Sequence, residues 1–118
     1  MKTARMKSII GAGMAVGMLV ATTHAFSETE WEKHHPRRDQ VNDRLENQNA
    51  RIKEGREQGT LTPQEAHQLH REDRQIRHQE RHFARHHGGH ITPAEEAKLN
   101  QEENAVSHQI HQEKHDGQ

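Results

Sequence analysis

Thirteen of the 118 residues are histidine and none is cysteine. Imidazole is the commonest protein ligand for divalent transition metals, and the one side chain whose ordinary titration falls near neutral pH. Spacing makes the count informative. His78, His82 and His86 follow one another at every fourth residue, with His67 and His70 upstream on the same stretch. His108, His111 and His115 form a second series, and His86-His87-Gly88-Gly89-His90 a third group. Two imidazoles four residues apart on a helix face one another across one turn and converge on one ion, as in helical zinc sites. The four methionines, Met1, Met6, Met14 and Met18, all lie near the N-terminus. The rest of the chain therefore has no sulfur ligand, which favours Zn, Cu(II) or Ni over the thiolate-seeking Cu(I). The candidate metal ligands are His67, His70, His78, His82, His86, His87, His90, His108, His111 and His115.

Other chemistries fit less well. Beyond the N-terminal segment the only serines are Ser27 and Ser107, neither in a glycine-flanked turn, so no nucleophile is set up and the chain reads as a non-enzyme. Calcium is disfavoured too. Aligning Gly59 or Gly89 with the glycine of an EF-hand loop places Glu54, Arg56 and Gln58, or Ala84, His86 and Gly88, where the early oxygen ligands belong.

Helices must carry these histidines, and the sequence marks where they begin. Gly59-Thr60-Leu61-Thr62-Pro63-Gln64-Glu65 is answered thirty residues later by Gly89-His90-Ile91-Thr92-Pro93-Ala94-Glu95. In each copy the threonine is an N-cap, the proline takes the first helical position and the glutamate closes a capping box. Leu61 and Ile91 sit as staples before the caps, and Gly59 and Gly88-Gly89 supply left-handed stops for the preceding helices. Apolar residues seven apart, Leu45/Ile52, Leu69/Ile76 and Leu99/Val106, extended by Val41, Phe83 and Ile110, give each helix a narrow buried stripe. Polar Gln48, Asp73 and Glu103 occupy intervening positions of these seams. The expectation is an all-α fold of three amphipathic helices, about 37–58, 63–87 and 93–115, in a hairpin-like or extended bundle. So few large apolar side chains leave a thin core, which predicts completion by self-association, as a homodimer, or by another partner.

The N-terminus reads as an export signal. Lys2, Arg5 and Lys7 precede an apolar run from Ile9 to Val20, with Thr23-His24-Ala25 before an expected cut after Ala25. That assigns 1–25 to a signal peptide, 26–36 with Glu28, Glu30 and Glu32 to a flexible acidic arm, and 37–118 to the three-helix domain. It places the protein in the periplasm or outside the cell, with no stable membrane span once the signal is removed. Past residue 25 there are 14 Lys and Arg against 18 Asp and Glu, a balance that does not favour nucleic acid. Arg71, Arg74, Arg77, Arg81 and Arg85 make the second helix basic, whereas 93–118 carries six acids against Lys98 and Lys114. An antiparallel hairpin is expected to match the two.

The paired Leu61-Thr62-x-x-Glu65 and Ile91-Thr92-x-x-Glu95 motifs in a small, exported, helical chain resemble the Leu-Thr-x-x-Gln motifs of the Spy/CpxP family of periplasmic chaperones and stress-response proteins, which has a zinc-resistance-associated member. The chain departs from that pattern with Glu65 and Glu95 in place of Gln and with Ile91 in place of Leu. The resemblance implies a helical dimer with a cradle for unfolded clients, in which Thr62, Glu65, Thr92 and Glu95 are structural. The motif is also similar to that of small secreted bacterial proteins with a Gly-x-Leu-Thr-x-x-Glu repeat, which brings no function with it. Two expectations follow. The first is a metal-binding protein of envelope metal or stress homeostasis; the alternative is a metal-independent chaperone or envelope-stress adaptor.

Overall fold

A computed structural model describes residues 28–116, so the signal-like segment 1–25 and the start of the acidic arm lie outside the described residues. The chain is all-α there: α1 (Glu30–His34), α2 (Pro36–Gln58), α3 (Pro63–His86) and α4 (Pro93–Asp116), with no strand among the described residues. The helix starts follow the local chemistry. Glu65 N donates to Thr62 Oγ1 at 3.1 Å while Thr62 N donates to Glu65 Oε1 at 2.9 Å, and Thr92 and Glu95 repeat the exchange at 3.1 and 2.8 Å. Each box satisfies amides that the first helical turn leaves without a carbonyl. The turns between helices rest on left-handed glycines, Gly59 at φ 77° and Gly88 and Gly89 at 63° and 95°.

Each of the three long helices packs against the other two. The bonds between them set the register. Asn49 with His70, and Asn42 with Arg77, run in opposite directions along α2 and α3, which are antiparallel. Going up α2, Arg37 reaches Ile91 O at 2.7 Å, Gln48 reaches Glu103 O at 2.6 Å, and Arg51 reaches Ser107 Oγ at 2.7 Å, so α4 climbs beside α2 in the same direction. The seam residues Val41, Leu45, Ile52, Leu69, Ile76, Leu99, Val106 and Ile110 are all buried, closed at the ends by Leu61 and Ile91. Phe83 packs against this core half-buried. The thin stripes are thus covered by one another within a single chain.

Polar side chains interrupt that core. Gln48, Asp73 and Glu103 keep at most 3 % of their surface, one on each long helix. Glu80 is 1 % exposed and takes the Arg38 guanidinium, whose Nη1 also donates to Gly89 O at 3.0 Å.

Over its described part the acidic arm forms a helical turn. Thr29 and Glu32 form a capping box that starts the single turn of α1, and His35 Nδ1 lies 2.8 Å from Trp31 O. The His35 ring then stacks between Trp31 and His90, each centroid 4.6 Å away, and Arg38 stands 5.3 Å over Trp31. Aromatic stacking and a cation over the indole face fasten the turn to the bundle end.

Candidate functional site

The apolar residues of α3 and α4 face the core, so their histidines are left on the outer sides of the bundle. His67, His78, His82, His86, His87, His90, His108, His111 and His115 are exposed, and only His70 is half-buried. Two i, i+4 pairs come together. The rings of His82 and His86 are 4.6 Å apart between centroids, and those of His111 and His115 are 4.4 Å apart. His108 is exposed one turn before His111.

The other candidates disperse. His70 leans toward α2, with Nδ1 2.9 Å from Asn49 Oδ1; burial first, then the charges of Arg74 and His67, hold its imidazole below the usual value. His78 borders an open depression with Arg71 and Arg74. The loop group expected to wrap an ion points three ways instead. His86 joins His82, His87 Nδ1 lies 3.1 Å from Phe83 O and 3.4 Å from Glu95 Oε1, and His90 stacks on His35. The reason is the Gly88-Gly89 turn, which ends α3 with His87 folded back on its last turn while His90 leads into α4. Among the described residues, no group of three or more His, Asp or Glu side chains is placed to hold a metal ion. What the fold brings together are two pairs of neighbouring imidazoles, which can supply at most two nitrogen ligands each.

The two pairs differ in their electrostatics. His82 and His86 share the outer side of α3 with Arg81 and Arg85, exposed cations that repel a divalent ion. His111 and His115 lie in the last turns of α4, a helix without arginine, where the carbonyl ends favour positive charge. Lys114, between them in sequence, has its Nζ engaged by Glu54 Oε1 at 3.3 Å.

No family model, curated protein or solved structure matches this chain. The site therefore stands on its own geometry. Sequence reasoning located both pairs, because four-residue spacing on a helix fixes them. It missed His35, whose stacking on His90 joins residues 55 positions apart. It also expected the arginines of α3 to match the acids of α4; the two helices are antiparallel, but among the described residues none of those arginines forms an ion pair with an α4 acid, and only Arg77 lies close enough to Glu103 to act on its charge. Lys98 and Gln79 hold Glu102 at that interface, while Arg77 turns to Asn42 on α2.

Proposed function

We propose that this chain is an exported binding protein that holds Zn(II), Cu(II) or Ni(II) loosely at paired surface imidazoles, in envelope metal or stress homeostasis. The observation that carries the reading is the His111/His115 pair, two rings 4.4 Å apart at a helix C-terminus with no uncompensated cation beside them on α4. Two nitrogen ligands on an open face bind an ion that exchanges readily, because nothing behind the rings fixes their orientation and water reaches the metal. Such a site suits buffering or transient carriage. It does not suit hydrolysis, which needs a shaped cavity that excludes water.

The chaperone reading has less to support it. A client cradle needs an apolar face, and among the described residues the large apolar side chains are buried except for half-buried Phe83 and for Trp31, itself 41 % exposed.

Calorimetric titration with zinc and copper(II) salts tests the proposal. Binding in the micromolar range is expected at about pH 7.5, with loss near pH 5 as protons compete for imidazole. Replacing His111 and His115 by Gln should remove a larger share than replacing His82 and His86. Binding that persists at the acid pH, or equal losses from the two pairs, overturns it.

A further inference from the structure

Four arginines of α3 form a second surface, away from the His111/His115 pair and on the same outer side of the helix as His82 and His86. Arg71, Arg74, Arg81 and Arg85 follow at spacings of three, seven and four residues, which puts them on one side of the helix along about 20 Å. All four are exposed, and none forms an ion pair among the described residues; Arg71 reaches only Gln68 of its own helix. The acids of α3 are withdrawn from that side. Asp73 and Glu80 are buried, Glu65 is held in its capping box, and Glu72 is half-buried with Gln68 bonded to it at 2.9 Å. Arg71 and Arg74, with Gln75, His78 and Gln79, border an open depression of about 470 Å³. Arg81 and Arg85 border another of about 360 Å³ with Arg38 and Gly89. Each offers two or more guanidiniums, the fork-shaped donors suited to phosphate oxygens.

We propose that this arginine face docks the protein peripherally on an anionic phospholipid surface, through the headgroup phosphates. The strip is straight and lies on the outside of a three-helix bundle, so it can lie flat on a plane. Single-stranded nucleic acid is captured by aromatic platforms, and the exposed side of α3 has no Phe, Tyr or Trp. Nor does it expose a large apolar residue to enter the acyl region. The contact is therefore electrostatic and salt-reversible. The charge of the rest of the chain orients it: past residue 25 the acids exceed Lys and Arg overall, so the surface away from this strip is acidic and turns toward water.

Co-sedimentation of the exported chain with vesicles, in the presence of a chelator, tests the docking independently of metal. Binding is expected to phosphatidylcholine vesicles containing phosphatidylglycerol, not to phosphatidylcholine alone, and to disappear in about 0.5 M salt. Replacing Arg71, Arg74, Arg81 and Arg85 together by Gln should weaken binding at least about tenfold, and replacing them by Lys should restore most of it. Lys53→Gln with Arg56→Gln, exposed on α2, should leave it unchanged. Equal binding to neutral vesicles, no loss in the Gln variant, no recovery with Lys, an equal loss from the α2 pair, or tighter binding to duplex DNA than to vesicles would overturn the proposal.

Discussion

Glu103 has no exposed surface, and burial pushes its carboxyl up to about 8 even though Arg44 Nε lies 3.6 Å away. Asp73, facing Glu72 and Arg77, is likewise pushed up to about 7, first by burial. Neither carboxyl accepts a hydrogen bond, so ionising them inside the bundle is costly, and the folded state prefers them protonated. In the unfolded chain both would titrate near their reference values of 3.8 and 4.5. Between about pH 4 and pH 8 the native state therefore binds more protons than the unfolded one, and stability falls as pH rises through that window. His70 acts in the opposite sense: its lowered pKa adds stability above the reference value of 6.5 that is lost as pH falls below it. The two carboxyls outweigh it, and the melting temperature is expected to be higher at about pH 5 than at about pH 8. Glu103→Gln, which mimics the neutral carboxyl, should raise stability at the alkaline end and change little near pH 4.5. A wild-type protein that melts higher at pH 8, or a Gln variant without gain there, would count against this account.

At the scale of elements, the tightest constraint is where α2 meets the turn into α3. A Cβ on Gly55 would stand 2.6 Å from Leu61 Cδ1 and 3.1 Å from Lys114 Cε, and Leu61 is 2 % exposed with no room to swing away. On an open helix face Gly→Ala adds about 1 kcal/mol of stability. Here overpacking should reverse the sign, and Gly55→Ala is expected to cost roughly 1 to 3 kcal/mol by urea unfolding. Thr62→Ala, which removes a capping oxygen but no packing, should cost about 1 kcal/mol. A stabilised Gly55→Ala would show that the Leu61 contact yields. These elements also mark what could be read before the fold was known. Helix starts at Thr62 and Thr92 and stops at Gly59 and Gly88-Gly89 were legible because caps and left-handed turns are local, a few residues deciding them. The seam was legible because its period is local too, including its polar positions Gln48, Asp73 and Glu103. The docked turn at Trp31 was not, because its anchor is His90, far along the chain. Nor was the fate of the α3 arginines. Charge balance pointed them at α4, whereas the burial of Leu69, Asp73, Ile76 and Glu80 rotates the helix so that Arg71, Arg74, Arg81 and Arg85 face solvent and Arg77 turns to α2.

The described residues form a bundle whose polar side chains sort by type: exposed guanidiniums on the outer side of α3, the better-placed imidazole pair at the end of α4, and the carboxyls of Asp73, Glu80 and Glu103 buried among the helices. The same packing bears on assembly. A thin apolar stripe on one helix demands a partner, and each of the three long helices finds two within the chain. Val41, Leu45, Ile52, Leu69, Leu99 and Ile110 keep none of their surface exposed without a second copy. Association that buries no further apolar surface has little hydrophobic free energy to gain. In chelator and moderate salt, helix content and melting temperature are accordingly expected to be independent of protein concentration, with sedimentation equilibrium giving the monomer mass. The buried acids sharpen the expectation, since raising the pH toward 8 loosens the core and is the condition under which the seam would first reach for a second copy. A melting temperature that climbs with concentration at pH 5, where the bundle should be tightest, would mean that the three helices do not close their seam alone.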